Sequence, residues 1–120
     1  MTECPTSSER ELVLTMALVN AARELGIADS ELSEIVGVSV STISDFRSEK
    51  ACLIEGDPAF EASVKLISIY RDLVAVLGSD GKYLSAWFHA NNADLGDAPV
   101  NLASTADGIS IVLRYLNERS

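Results

Sequence analysis

The feature that most constrains the fold is a long apolar segment with helix-boundary signals at both ends. Asp57 can cap a helix and Pro58 suits its first turn, while Gly78 ends the segment. The apolar residues of the predicted helix 58–77 form two stripes, one of Phe60, Val64, Ile67, Tyr70, Val74 and Leu77 and one of Leu66, Ile69, Leu73 and Val76. The polar ribbon that remains consists of Glu61, Lys65, Ser68 and Asp72. A helix this apolar is buried on most sides, and in so small a protein we expect a second chain to cover part of it.

The rest of the chain carries further helix signals and no alternating strand pattern. The predicted helices run from Ser7 or Ser8 to about Leu25, from Asp29 or Ser30 to Val36, from Val40 to Glu49 with Ser39 as cap, from Asp80 to Ala90, and from a Ser104 cap to about Asn117 with Asp107 in a capping-box-like position. The stretch before Ser104 is predicted to be irregular. We predict an all-α protein with an N-terminal lobe over residues 1–56 and a small helical domain over residues 57–120.

Composition excludes several classes of protein. The 120 residues include 18 acidic and 9 basic side chains, for a net charge of −9, and 48% are hydrophobic, which is too apolar for a disordered acidic tail. No apolar run is long enough to span a membrane, and the first residues lack the pattern of a signal peptide. Cys4 and Cys52 fit no metal-binding spacing and are interpreted as reduced thiols. We expect a cytoplasmic location.

Residues 31–50, "ELSEIVGVSVSTISDFRSEK", have the layout of two short helices joined by a tight turn. Gly37 stands at the turn, where only glycine adopts left-handed backbone angles at little cost. Apolar residues fall where a helix-turn-helix locks its two helices together: Leu32, Val36, Val38, Ile43 and Phe46. The pattern predicts a DNA-binding helix-turn-helix, with an ordinary helical corner as the alternative.

The outward residues of the second of these helices are the candidate DNA contacts. Short hydroxyl side chains suit phosphate and modest base contacts, and basic ones bind phosphate or guanine. The candidates are Val40, Ser41, Thr42, Ser44, Arg47 and Lys50. Residues 1–60 nevertheless hold eleven acidic and only four basic side chains, so this lobe alone is expected to bind DNA weakly. Two copies held at a fixed spacing would recover the affinity.

The sequence from Leu77 to Leu116 resembles the C-terminal domain of the Xre/MbcA/ParS antitoxins, the partners of RES-domain toxins. The features that carry the resemblance keep their order and spacing: Gly78, Leu84, Trp87, Asn92, Leu95, Pro99, Leu102, Gly108 and the ending "VLRYL". One departure is that the family often has "WL" and then a proline before the asparagine, where this chain has Trp87, Phe88 and Asn91. Members of the family carry an Xre-like helix-turn-helix in front of this domain.

The resemblance implies an antitoxin without cofactors that binds a NAD-consuming RES toxin and blocks its active site with the C-terminal segment. It also implies that the chain represses its own operon, as a homodimer within a hetero-oligomer with the toxin on operator DNA. The toxin-binding candidates are Trp87, Asn92, Leu95, Arg114, Asn117 and Arg119. Other roles remain open, since Trp87 could be core packing, Asn92 could tie its loop, and the C-terminal segment could be a solvated helix end.

Two further functions are weighed against this one. A stand-alone helix-turn-helix repressor with a C-terminal dimerisation or effector domain would explain the first half of the chain equally well. An enzyme is disfavoured because His89 is the single histidine and no nucleophile–base set or phosphate-binding glycine loop is present. The lone histidine also makes a metal site improbable.

Overall fold

A computed structural model describes residues 9–119 of the chain, with side chains described through Glu118. It contains seven helices in that range: α1 (Glu9–Glu24), α2 (Asp29–Val36), α3 (Val40–Arg47), α4 (Pro58–Leu77), α5 (Gly81–His89), α6 (Pro99–Leu102) and α7 (Ala106–Arg119). The extended pairing found within this range is one isolated bridge between Asn92 and Asp97. The prediction of an all-α fold is confirmed.

Helix α4 is the central element, and it packs against α1, α2, α5 and α7. Its buried residues are Phe60, Ser63, Leu66, Ile69 and Leu73. The prediction that this helix is buried on most sides is borne out only in part, because Val64, Val76 and Leu77 of the predicted apolar stripes are exposed, and the covering helices belong to the same chain. A second chain is not needed to bury the core face of α4.

The predicted polar ribbon of α4 is not its solvent-exposed face. Lys65 is half-buried and donates a hydrogen bond from Nζ to Ser110 Oγ on α7 at 3.0 Å. Ser63, which the two apolar stripes did not include, is fully buried. Its hydroxyl can be buried because it donates a hydrogen bond to the Ala59 carbonyl at 2.7 Å. A serine satisfied within its own helix can thus replace an apolar residue where α4 is packed most closely.

One hydrophobic cluster runs through the described part of the chain. It joins Leu18 on α1 and Ile43 on α3 to Leu66 on α4 and Val112 on α7. The division of the chain at residue 56 stays a prediction, since helices from both sides of that residue contribute to this one cluster. Any movement of one lobe relative to the other would have to disturb this shared core.

The turn between α2 and α3 follows the sequence signals closely. Gly37 has φ +84° and donates its N–H to the Ser33 carbonyl at 2.8 Å, which closes α2. Ser39 then caps α3, because its Oγ accepts the Thr42 N–H at 3.1 Å. Both predicted boundaries are confirmed, although α3 ends at Arg47 and not at Glu49.

The proposed caps Ser7 and Ser8, like Cys4, lie outside the described residues. The expectation of a reduced thiol is wrong for Cys52, which the structure places in a disulfide bond. At the start of α4, Asp57 occupies the capping position as predicted, but its side chain forms no capping hydrogen bond.

The stretch predicted to be irregular contains the short helix α6, which sequence analysis missed. Asp97 starts this helix: its Oδ1 accepts the Ala98 N–H at 2.7 Å and the Asn101 side-chain amide at 3.1 Å. The Asn101 amide, followed by the Ala98 N–H, holds the pKa of Asp97 below its ordinary value. Pro99 occupies the first helical position, where its missing N–H costs nothing.

The predicted start of α7 is wrong by one residue. Thr105, not Ser104, is the cap, because Thr105 Oγ1 accepts the Gly108 N–H at 3.0 Å. Ser104 instead donates its hydroxyl to the Asn101 carbonyl at 2.6 Å. Asp107 is therefore the second helical residue and cannot complete a capping box, which requires an acceptor at the third.

Gly108 holds α6 and α7 together at close range. A Cβ at this position would overlap the Leu102 carbonyl oxygen and lie 2.7 Å from the Leu102 carbonyl carbon. Backbone atoms cannot move aside as the end of a flexible side chain can. Gly108 therefore allows the close packing of these two helices.

The substitution Gly108→Ala should destabilise the protein by about 3 kcal/mol, because the added methyl forces α6 and α7 apart. The free energy of unfolding from urea titration measures the loss. Gly81→Ala is the matched control, since Gly81 also lies in the first turn of a helix and a Cβ there would be 3.4 Å from its nearest neighbour, the Glu24 carbonyl oxygen. Equal stability of the two variants would contradict the close α6–α7 contact.

Candidate functional surfaces

The exposed side of α3 is the candidate nucleic-acid surface. Val40, Ser41 and Ser44 are exposed along it, and Lys50 is exposed just beyond its end. Thr42 is half-buried, and its hydroxyl lies 3.0 Å from the Ser39 hydroxyl at the helix start. Five of the predicted DNA contacts thus lie on α3 or just beyond it, and among them Thr42 has a local partner.

The sixth predicted contact, Arg47, is engaged within the chain. Its Nε donates a hydrogen bond to Asp29 Oδ1 at 2.9 Å, and its Nη2 lies 2.7 Å from the same oxygen in an ion pair. The two side chains are 34% and 40% exposed, so the ion pair lies at the protein surface. Sequence analysis did not find this partner, because Asp29 precedes Arg47 by 18 residues and the pairing depends on how α2 crosses α3.

This surface is not a basic patch. Arg47 and Lys50 are its basic residues, and Arg47 is paired with a carboxylate. Asp45 and Glu49 belong to the same segment of chain, and each adds a negative charge close to the recognition helix. Since affinity for DNA depends on neutralising phosphates, the surface of one copy suits weak binding.

Glu31 on α2 and His89 on α5 link the helix-turn-helix to the C-terminal part of the chain. Glu31 Oε1 accepts the Ala28 N–H at 2.9 Å and lies 3.2 Å from His89 Nε2. His89 Nδ1 lies 2.9 Å from the Ser85 carbonyl oxygen. Both ring nitrogens therefore lie within hydrogen-bonding distance of an oxygen atom.

The pKa of Glu31 is lowered by this environment. Partial burial acts in the opposite direction and is the largest single influence, but the hydrogen bond from the Ala28 N–H and the hydrogen bond and charge of His89 together outweigh it. The ionised carboxylate is thus the form that this junction stabilises. Sequence analysis considered His89 as a metal ligand and missed its role as a partner of Glu31.

The same junction is tightened by Gly26 in the turn between α1 and α2. A Cβ on Gly26 would overlap the Ser85 hydroxyl on α5, and the φ of +69° at this position also favours glycine. The turn before α2 and the middle of α5 are therefore in direct contact. Side chains of the C-terminal half and of the helix-turn-helix share one packed boundary.

Trp87 and Tyr115 form the candidate partner-binding surface. Their rings stack with centroids 6.5 Å apart and planes 24° from parallel. The Tyr115 hydroxyl donates to Asp94 Oδ2 at 2.8 Å, which fixes the tyrosine ring against the loop after α5. The indole N–H donates no hydrogen bond within the described residues, so a binding partner can accept it.

Trp87 is half-buried at the edge of the core, and the fully buried aromatic residue of α5 is its neighbour Phe88. Trp87 packs against the core without being fully buried in it, so the core-packing role left open for it is borne out in part. Phe88 takes the core position because it lies four residues after Leu84, which is also fully buried, on the inner face of α5.

Asn92 organises the loop between α5 and α6. Its Oδ1 accepts the N–H groups of Asp94 at 2.9 Å and of Leu95 at 3.3 Å, and its carbonyl accepts the Gly96 N–H at 2.8 Å. The prediction that Asn92 ties the loop is confirmed, and a direct contact with a toxin stays a prediction. Leu95 is half-buried and packs against the core.

The C-terminal segment continues as helix α7 through Arg119. Arg114 and Asn117 are exposed on it, and Leu116 between them is only 2% exposed and anchors the segment in the core. The side chain of Arg119 lies outside the described residues. Arg114 and Asn117, two of the candidate toxin-binding residues, thus lie on a helix that is packed against the core.

Comparison with known families identifies the C-terminal half. Residues 72–119 match the family described as the antitoxin Xre/MbcA/ParS C-terminal toxin-binding domain. The match begins within α4 and includes α5, α6 and α7, so it contains the Trp87–Tyr115 pair and the Asn92 loop. No curated protein matches the chain. None of the helices within residues 9–119 is long and apolar enough to cross a membrane.

The resemblance predicted from the sequence is therefore confirmed for residues 72–119, which match the toxin-binding domain of this antitoxin family. The helix-turn-helix geometry of α2 and α3 lies in front of it, joined by the shared core.

The substitution Glu31→Gln should lower stability at pH 7 by about 0.5 kcal/mol, a small value because the side chain is partly exposed. Folding lowers the pKa of this carboxyl. The ionised carboxylate therefore stabilises the folded state at pH values above 4.5, its ordinary pKa. That contribution is lost as the pH falls through the folded-state pKa. The stability difference between wild type and variant should therefore shrink below pH 4.5, as measured by urea titration.

Glu34→Gln is the matched control, since it removes the same charge from an exposed position of α2. It should change stability little at either pH. A Glu31→Gln deficit that stays constant from neutral to acidic pH would show that the ionised carboxylate does not stabilise this junction.

Proposed function

We propose that this protein is an antitoxin that binds and inhibits a RES-domain, NAD-consuming toxin and represses its own operon through the helix-turn-helix. The observation that carries the proposal is the toxin-binding domain at residues 72–119, on the same chain as a helix-turn-helix. The protein has no catalytic role of its own in this account, and it acts in the cytoplasm.

The Trp87–Tyr115 pair is the proposed anchor for the toxin. Large aromatic residues that are partly buried and rigid carry much of the binding energy at protein interfaces. Tyr115 is held by Asp94, and Asn92 fixes the loop that carries both Asp94 and Leu95. These contacts support a preformed surface, which lowers the entropy cost of binding.

The C-terminal segment is proposed to occlude the active site of the toxin. Arg114 is exposed next to Tyr115, and Asn117 is exposed one turn further along α7. A guanidinium group binds carboxylates and phosphates in a bidentate manner, and a site for NAD supplies such groups. Arg119 is assigned the same role from its position in the sequence.

The proposed DNA contacts are the exposed side of α3 together with Lys50. Because the surface of one copy is acidic overall, we propose that operator DNA is bound by the toxin–antitoxin complex, which contains an antitoxin homodimer. A symmetric assembly places two recognition helices on the same face of the DNA. Exposed apolar side chains support an assembly of several chains, including Val13 at 59% and Met16 at 51% exposure.

A stand-alone repressor is the alternative function. The toxin-binding domain favours the antitoxin, since a solitary repressor has no use for a surface of this family. The two functions differ in the neighbouring gene: only an antitoxin should lie beside a gene whose product is toxic alone and co-purifies with this protein.

Two variants should separate toxin binding from toxin inhibition. Trp87→Ala should weaken the complex with the toxin about 30-fold, because truncating an aromatic anchor costs about 2 kcal/mol. The double substitution Arg114→Ala with Asn117→Ala should keep the complex but release NAD consumption, because both side chains are exposed and leave the Leu116 anchor intact. Calorimetry with the purified toxin and an NAD-consumption assay measure the two effects.

Tyr83→Ala is the control for Trp87→Ala, since Tyr83 is an aromatic residue of α5 that is 62% exposed and belongs to the same domain. It should change toxin affinity less than threefold. If Tyr83→Ala weakens the complex and Trp87→Ala does not, the toxin binds a different face. If the arginine–asparagine variant inhibits as well as wild type, Arg114 and Asn117 do not block the active site.

Ser44→Asp should abolish operator binding by the toxin–antitoxin complex, because it places a carboxylate on the exposed side of α3 against the phosphates. Binding to the promoter duplex of the gene is measured by fluorescence anisotropy. Ser79→Asp adds the same charge in the exposed turn between α4 and α5 and should leave binding unchanged. Equal binding by both variants would remove α3 as the DNA-reading helix.

A further inference from the structure

The pairing of Asp29 with Arg47 bears directly on how this protein contacts DNA. Asp29 is the first residue of α2, and Arg47 is the last residue of α3. One carboxylate oxygen accepts a hydrogen bond from Nε of the guanidinium at 2.9 Å and lies 2.7 Å from its Nη2. The charge of Arg47 is thus neutralised on the surface that is proposed to meet DNA.

The carboxylate of Asp29 also lies where a phosphate would be attracted. The first N–H groups of a helix have no partner within it and favour a nearby negative charge. In α2 the first main-chain bond along the helix is from the Leu32 N–H to the Ala28 carbonyl, at 2.9 Å. The start of α2 and the Arg47 guanidinium therefore present two anion-attracting features side by side, and Asp29 serves both.

We propose that Asp29 acts as an internal substitute for a DNA phosphate and withholds Arg47 from the nucleic acid. This inference rests on the proposed DNA-binding function of the helix-turn-helix. An ion pair with no net charge displaces no counterion from DNA, so Arg47 adds little to the affinity while Asp29 holds it. The affinity of the wild-type protein then depends on the exposed hydroxyl side chains of α3 and on Lys50.

Neutralising Asp29 tests the inference. Asp29→Asn keeps the size of the side chain and remains suited to a helix start, but it removes the negative charge that neutralises the guanidinium. The toxin–antitoxin complex with this variant should bind the promoter duplex about tenfold more tightly than wild type at low salt. The slope of log affinity against log salt concentration should be steeper by about 1, because one more phosphate is neutralised.

The gain must depend on Arg47 and not on net charge alone. Glu34→Gln removes one negative charge from an exposed position of the same helix and is the charge-matched control. Arg47→Ala alone should change affinity less than threefold, and in the Asp29→Asn background it should abolish the gain. This double-mutant cycle isolates the pair from the general charge of the lobe. Thermal unfolding of each variant confirms that the fold is kept.

The possible results separate the two claims. If Asp29→Asn binds DNA no better than Glu34→Gln, or more weakly than wild type, Asp29 does not withhold Arg47. The proposal that α3 binds DNA would still stand after that result. If neither wild type nor any variant binds duplex DNA with the toxin present, the DNA-binding function itself fails. A gain that survives Arg47→Ala would also overturn the inference.

Discussion

Burial of α4 is the constraint on which the rest of the structure depends. Helices α1, α2, α5 and α7 pack directly on it, and its buried residues link the core of the helix-turn-helix to that of α7. Because a helix with this much apolar surface is unstable in water by itself, the chain wraps both of its halves around it. The toxin-binding domain and the helix-turn-helix are consequently parts of one packed body, joined also by Glu31, His89 and Gly26.

Sequence analysis succeeded where structure is determined locally. Gly37 and Ser39 fix the α2–α3 turn through backbone angles and a cap, and these depend on a few adjacent residues. It failed where distant parts of the chain decide the outcome. Which of Trp87 and Phe88 enters the core depends on how α5 is rotated against its neighbours, and the burial of Ser63 depends on close packing around α4. The short helix α6 has only four residues, too few for a periodic pattern to reveal.

The acidic composition has a specific structural role beside the two candidate surfaces. Glu31 approaches the single histidine and Asp29 holds Arg47, so two carboxylates in the first turn of α2 engage nitrogen-bearing side chains from α5 and α3. Sequence spacing could not predict either pair, because each joins different helices across a tertiary contact. Under the proposed function, these pairs restrain the affinity of the helix-turn-helix for DNA, which suits a protein that acts as part of a larger complex.

The central claim is that this chain is the inhibitory partner of a toxin. Co-expression with the product of the adjacent gene, followed by purification and native mass measurement, tests it most directly. The account predicts a stable complex that contains two antitoxin chains together with the toxin, and no NAD consumption by that complex. A chain that purifies alone as a monomer and binds its promoter tightly at physiological salt, with no toxic neighbour to inhibit, would contradict it.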